Sequence, residues 1–407
     1  ANTTGTQNTA VGSNALDANT TASANIAIGT HALGVNTTGT QNNAVGVNAL
    51  DANTTANYNN AFGTNALSAN QTGQNNTAMG DSALAANTNA ANNTGIGFEA
   101  LKANTTGSSN VAVGTSALSA NTTAQQNTAL GNVALEDNTT GAFGVAVGSQ
   151  ALRNNTTGGA NVGVGCLALA TNTSGTLNTA IGSNTLQANT TASNNTAVGY
   201  NALNDNTTGD GNTAVGSGAL DANTTGNYNV GVGLNSLTNI ITGSQNVAVG
   251  YQALNTSTAS NNTAVGYNAL VLNTTGTRNV ALGSNALDAN TTGDFNTGVG
   301  HNSLTANTTG TLNTSVGDHS LSANSTGARN SALGQSALFA NTTGSDLVAI
   351  GERALKENTT ASNNTAVGSS ALKLNTTGSS NTSVGYESLE ANTTGGSNVA
   401  LGRDALG

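Results

Sequence analysis

The sequence predicts an all-β chain, a parallel β-solenoid or β-roll with one 17-residue repeat per coil, and three observations carry that reading. Twenty-four copies of N-T-T-G-x-x-N-T-A-V-G-x-x-A-L-x-x run from Asn2 to a last copy cut at Gly407. A fixed short period marks an array in which each repeat buries its apolar face only against its neighbours. With the unit numbered 1 to 17, position 15 is always Leu, position 11 always Gly and position 10 always apolar. All 26 Asp, Glu, Lys and Arg residues fall at positions 5, 6, 12, 13, 16 or 17. Charges are almost never buried unpaired, so the chain separates a packed set of positions from a solvated set. An Asn/Thr/Gly/Ala-rich chain with 6% charged residues would also suit a disordered tract, but disorder requires neither the register nor the segregation.

Each element of the unit follows from its residues. Positions 1–4 (Asn2-Thr3-Thr4-Gly5) are turn chemistry, because Asn and Gly tolerate φ > 0 and Thr hydroxyls bond nearby backbone. Positions 7–11 (Asn8-Thr9-Ala10-Val11-Gly12) read as a short strand, β-branched at 8 and 10 on one face and small at 9 on the other. Glycine then ends it at Gly12, Gly29, Gly46, Gly114, Gly199 and Gly250, as a turn or bulge. The Ala-Leu pair at 14–15 breaks strict alternation; it reads as a second short strand or as one helical turn, as in Phe98–Ala103, with the strand favoured. The expected core is position 10 with position 15: Val11, Leu16, Ile28, Leu33, Val45, Leu50, Val113, Leu118, Val198, Leu203, Val249 and Leu254.

Stacking the copies in register places Asn on Asn at positions 1 and 7, each filled by Asn in 22 of 24 copies. Asn8, Asn25, Asn42 and Asn59 begin one such ladder, of the kind that satisfies amides from rung to rung in cross-β assemblies. The array is read as one continuous domain over 1–407, a piece of a longer protein, with a one-residue deletion in the copy at 240–255. At one coil per ~4.8 Å it would extend about 110 Å. A single coil buries little apolar surface, and the first and last copies keep the internal consensus instead of a polar cap. Self-association into a homo-oligomer or filament is therefore expected, laterally or end to end, since unpaired edges template further chains.

The segments Asn110-Val111-Ala112-Val113-Gly114 and Asn246-Val247-Ala248-Val249-Gly250 resemble the N-S-V-A-I-G core of head repeats in trimeric autotransporter adhesins. The longer unit Asn195-Thr196-Ala197-Val198-Gly199-Tyr200-Asn201-Ala202-Leu203 is similar to arrays in phage tail-fibre-like and bacterial surface proteins. The adhesin resemblance implies a parallel β-roll three chains wide, with the Val and Ile face turned inward. This chain departs from the adhesin repeat in having a longer unit and a fixed Leu at position 15.

Composition narrows the function. The formal net charge is −10 without a basic stripe, which argues against nucleic acid as a partner, and no apolar run approaches the length of a membrane span. The single cysteine, Cys166, excludes an internal disulfide framework. His301 and Asp318 share position 12 on consecutive rungs with His319 beside them. A metal site would need more ligands from a rigid concave cluster, so occupancy of solvated positions by chance is the expectation, as it is for His31. No recurring Ser/His/Asp set or phosphate-cradling loop exists, so neither a cofactor nor catalysis is expected. Gly95-Ile96-Gly97 and Gly231-Val232-Gly233 are strand ends.

Aromatic residues collect at position 12 (Phe98, Tyr200, Tyr251, Tyr267, Tyr386) and position 6 (Tyr58, Phe143, Tyr228, Phe295), where they could meet a glycan, a host surface or another chain. Position 1 spells an N-x-S/T sequon in 21 copies. Asn2, Asn19, Asn36, Asn53, Asn104 and Asn121 are thus candidate glycan acceptors, though an Asn ladder spells the same motif. The functional expectation is a structural extracellular rod or filament (an adhesin, surface matrix or fibre shaft at a cell surface or on a virion) without catalysis. The alternatives are a phage tail-fibre shaft and ice or crystalline-surface binding through Thr ladders at positions 2 and 3.

Overall fold

A computed structural model describes residues 2–407, in two compact units that divide between Thr208 and Gly209. Each unit is a parallel β-solenoid. Strands β1–β12 (Thr9–Val11 to Thr196–Val198) lie in the first and β13–β24 (Thr213–Val215 to Val399–Leu401) in the second. Each strand is three residues long, covers positions 8–10, and pairs in parallel with its sequence neighbour within the unit, like residue on like. Thr9 faces Ile26, Ala10 faces Ala27 and Val11 faces Ile28; Thr213, Ala214 and Val215 face Val230, Gly231 and Val232.

The predicted second strand is absent. Positions 12–17 form turns, neither strand nor helix. One closes with Ala49 N donating to Gly46 O at 3.4 Å, the next with Asn53 N donating to Leu50 O at 3.1 Å. Three non-glycine positions per coil sit in the left-handed region: in the third copy these are Gln41, Asn48 and Leu50, with φ of 57°, 56° and 53°. Such a residue costs ~1–2 kcal/mol. The return is a backbone N–H directed at a neighbouring coil: Asn48 N donates to Thr30 O of the preceding rung, and Leu50 N to Ala66 O of the following one, both at 3.0 Å. Adjacent apolar residues at 14 and 15 thus both point inward because Leu is left-handed, a conformation that alternation rules for strands do not consider.

The core differs from the expected one by half its members. Leu33, Leu50, Leu118, Leu203 and Leu254 are fully buried, and Leu16 nearly so. The other six residues named from the sequence face outward: Val11 is 57% and Ile28 40% exposed, while Val45, Val113, Val198 and Val249 are half-buried. The inward strand residue is the small one at position 9, such as Ala27, Ala112 and Ala197. The coil is too thin for anything larger. A Cβ placed on Gly95 would already lie 3.2 Å from Ala100 O and 3.4 Å from Leu84 Cγ. No space remains for the two γ carbons of Val, so the β-branched residues take the solvent face. Phe62, on the same outward row, is 38% exposed.

The six strand-ending glycines have φ between 132° and 139°. A Cβ at Gly114 would also collide with the carbonyl oxygen of Gly131 on the next coil. Both facts exclude a side chain. Position 4, whose φ is not positive, holds Gly (Gly39, Gly107) or Ala (Ala56, Ala124), and never Ala on two consecutive coils; a Cβ at Gly107 would meet Ala124 O of the next one.

Hydrogen bonds move the missing residue out of the copy at 240–255. Asn273 donates to Ser257 Oγ at 3.2 Å and Thr258 Oγ1 to Thr274 O at 3.0 Å, contacts that positions 1 and 2 make elsewhere. Ile240–Thr256 is therefore a full coil with Ile240 buried in place of Asn. The short coil is Ser257–Leu272, which drops one residue from its Thr-Thr turn, and strand register survives, with Val247 facing Thr263.

Two comparisons test this arrangement. Leu118→Ala should lower unfolding free energy by about 2–5 kcal/mol, whereas Val113→Thr, on the outward row, should change it by less than about 0.5 kcal/mol. Denaturant midpoints of the two variants give the ordering. Gly114→Ala should likewise cost more than about 1 kcal/mol, whereas Ala124→Gly, at a position that takes either residue, should cost clearly less.

Candidate interaction surface

Two Asn ladders run through each unit. At position 1, Asn121 Nδ2 donates to Asn104 Oδ1 of the preceding coil at 2.8 Å and to Ala124 O at 3.1 Å; Asn36, Asn53 and Asn138 repeat the pattern. At position 7 the amide serves the backbone instead. Asn127 N donates to Asn110 Oδ1 at 2.9 Å, and Asn110 Nδ2 donates to Ala124 O at 2.9 Å. The expected ladder Asn8, Asn25, Asn42, Asn59 is present in this second form, each N–H donating to the preceding Oδ1 at 2.9–3.0 Å. Both side chains are fully buried in the interior coils.

This burial corrects the glycan candidates. Asn19, Asn36, Asn53, Asn104 and Asn121 each use Nδ2, the atom a glycan would occupy, for two hydrogen bonds inside the wall. Asn2, in the first coil, is exposed. The sequon is a by-product of a turn that needs Asn for its amide and Thr for its hydroxyl: Thr20 and Thr37 donate Oγ1 to the next coil's carbonyl at 3.1 Å. Position-2 hydroxyls are engaged within the coil wall, and position 3 is the more exposed of the pair.

The strand face is the most continuous surface feature. Position 10 forms an unbroken apolar row in the first unit (Val11, Ile28, Val45, Phe62, Met79, Ile96 and onward to Val198) and another in the second, from Val215 to Leu401. Position 8 lies beside it, mainly Thr and Val, with Ile26, Val111 and Val280 about 40% exposed. Neither position holds a charge in any copy. With strands ~4.8 Å apart and the two rows ~7 Å apart, the twelve strands of each unit present roughly 400 Å² of charge-free surface, within the range of the largest patch on a monomer.

Apart from Phe62 the aromatic residues named from the sequence lie at positions 6 and 12, and four of them make local contacts. Tyr251 and Tyr267 stack on adjacent rungs at 5.4 Å, while Arg278 and Arg403 cover Phe295 and Tyr386 at 5.1 Å. Charges pair the same way. Arg329 grips Asp346 one rung on through two bonds of 2.6 and 2.8 Å; the guanidinium holds the Asp346 carboxyl below its ordinary pKa. His301 and His319 both meet Asp318, whose carboxyl is held down by hydrogen bonds first from His319 and then from His301. Cys166 is exposed. Among the described residues no helix is long and apolar enough to cross a membrane, and no pocket is present.

Sequence reasoning missed the apolar strand face, because absence of charge at positions 8 and 10 was equated with burial. The available signal was the side-chain size at position 9, which is never larger than Ala or Ser.

Asn110→Ala would orphan Asn127 N and remove one of the two bonds to Ala124 O, which Asn121 Nδ2 still reaches. It should cost about 1–3 kcal/mol per orphaned group, a loss read from thermal or denaturant unfolding. Gln125→Ala, at an exposed position 5, provides the near-neutral comparison.

No protein-family model matches the chain, and no curated protein matches it.

Proposed function

We propose that this chain is a non-catalytic structural array of an extracellular fibre or surface matrix, and that its strand faces bind second copies of the same chain. The observation that supports this is the uncovered apolar row at position 10, repeated without a break in each unit and flanked by the uncharged row at position 8. A surface of this kind is costly to leave in water. The partner that matches it along its length is another ladder with the same rung spacing, and a second copy supplies that period by construction. The N-T/V-A-V-G segment's likeness to trimeric adhesin heads points to three chains, with the Val and Ile rows meeting between them.

The interface would be built of many small equal contributions, because each rung adds one Val-sized and one Thr-sized contact. A pair of units buries a modest area by the standard of stable complexes, so association should strengthen with the number of coils. Sedimentation velocity tests the reading. The native chain should sediment as an oligomer at micromolar concentration, and Val113→Lys with Val147→Lys should shift it to monomer without lowering its melting temperature. A native chain that stays monomeric at high concentration overturns the proposal.

A second reading, ice or crystalline-surface binding, is favoured by one observation: Thr at position 8 recurs beside Val or Ile at position 10 on the strand face (Thr179, Thr196, Thr365, Thr382). It rests on a different pair of positions from the Thr-Thr turn. Thermal hysteresis that disappears in Thr179→Lys with Thr196→Lys would support it; no hysteresis at millimolar chain removes it.

A further inference from the structure

The stacking of coils brings a histidine against two donor groups one repeat further along the chain. His301 and Asp318 occupy position 12 of consecutive rungs, and His319 follows Asp318. His301 Nδ1 lies 3.1 Å and His319 Nδ1 3.0 Å from Asp318 Oδ1. One ligand atom from each of the three residues falls within 4.8 Å of the others. In sequence these residues show no rigid frame that would hold them as ligands. The structure supplies the rigidity: His319 N donates to His301 O at 3.0 Å, Gly317 N to Val299 O at 2.8 Å and Ser336 N to Asp318 O at 3.0 Å. Three successive rungs therefore fix both Cα positions that carry the histidines.

We propose that His301, Asp318 and His319 form a surface site for one divalent transition-metal ion of the zinc class. Two imidazoles and a carboxylate are the donor set that suits zinc, cobalt or nickel and is poorly matched to magnesium or calcium, which take oxygen ligands. Two ligands bonded at about 2.1 Å lie about 3.0 Å apart at a right angle and about 3.4 Å apart at a tetrahedral one. The two histidine-to-aspartate separations match the first value. The imidazoles are side by side, with ring centroids 5.3 Å apart and planes at 71°, so the ion would sit between them above the carboxylate. The side chains are 39–53% exposed, which leaves remaining coordination positions to water. Asn302 is the positioning residue: its Nδ2 lies 3.2 Å from His319 Nε2. With the metal on Nδ1, Nε2 carries the ring proton, which the Asn302 amide accepts by turning over and giving up the 3.3 Å bond its Oδ1 takes from Asn285 Nδ2. Partners of that kind orient metal-ligating histidines. His31 has an Asn neighbour, Asn14, at 3.5 Å and lies outside this cluster, which makes it the internal control.

The competing explanation is that each imidazole donates a hydrogen bond to Asp318 and no ion binds. Calorimetric titration of the full chain with zinc chloride separates the two, followed by cobalt(II) absorption spectroscopy. The expected result is one equivalent of zinc bound with micromolar affinity, weakened at least tenfold in His301→Ser and in His319→Asn, and unchanged in His31→Asn. Ser and Asn already occupy positions 12 and 13 in other coils (Ser13, Asn14), so these variants should melt with the native chain. Asn302→Ala should weaken binding severalfold while cobalt d–d bands persist. The absence of a stoichiometric zinc event up to about 100 µM overturns the proposal. So does binding that survives in the double variant His301→Ser/His319→Asn, since the ion would then be held by carboxylates elsewhere.

Discussion

Everything in this fold depends on the contact between one coil and the next at like positions. A 17-residue turn of chain has almost no interior, so stability lies along the stack instead of across it. Backbone N–H groups at positions 2, 3, 8, 15 and 17 reach the following coil, and those at 6, 11 and 13 reach the preceding one. Nearly every peptide of the unit is thus committed to a neighbour. The absence of proline from 407 residues follows directly, since proline offers no N–H and fixes φ near −65°, while the unit needs donors throughout and left-handed φ at three non-glycine positions. Invariant glycine at position 11 is the same constraint at its tightest point, where backbone touches backbone.

The two asparagine ladders solve a problem that this geometry creates. Turns inside a thin wall bury carbonyls and N–H groups that no strand partner reaches, and an orphaned buried polar group costs ~1–3 kcal/mol. Asn is short enough to fit and has both a donor and an acceptor, so position 1 links coils amide to amide while position 7 completes the backbone. Ser257 shows that a hydroxyl can substitute where a residue has been lost. Ile240 shows that the wall also accepts an apolar side chain of similar bulk.

Much of this was legible in the sequence, and the errors are instructive. The period, the Asn ladders, the buried Leu and the turn glycines follow from repetition alone. The inward–outward sense of the strand did not, because uncharged Val11 and Ile28 look like core when only charge segregation is consulted. Packing volume decides it: Leu16 and its equivalents already fill the coil, which leaves room at position 9 for Ala and none for Val. The second strand failed for a related reason. Ala-Leu as a pair can turn inward together only if Leu adopts φ near 50°, and no propensity rule assigns that conformation to leucine. Strain of this kind is tolerable where every copy repeats the compensating bond.

A surface built this way has a property that a globular surface lacks. Side chains at a variable position are repeated at one strand spacing, so chance substitutions on adjacent rungs become contacts without any change of fold. Arg329 with Asp346, Tyr251 with Tyr267, and His301 with Asp318 are all such pairs, each one repeat apart. The ladder therefore acts as a fixed template on which local chemistry is written two or three residues at a time. Positions 8 and 10 are the exception. There the same template carries an uncharged surface through every copy, because a side chain repeated at one strand spacing meets its own kind on both sides and like charges stacked that way would repel.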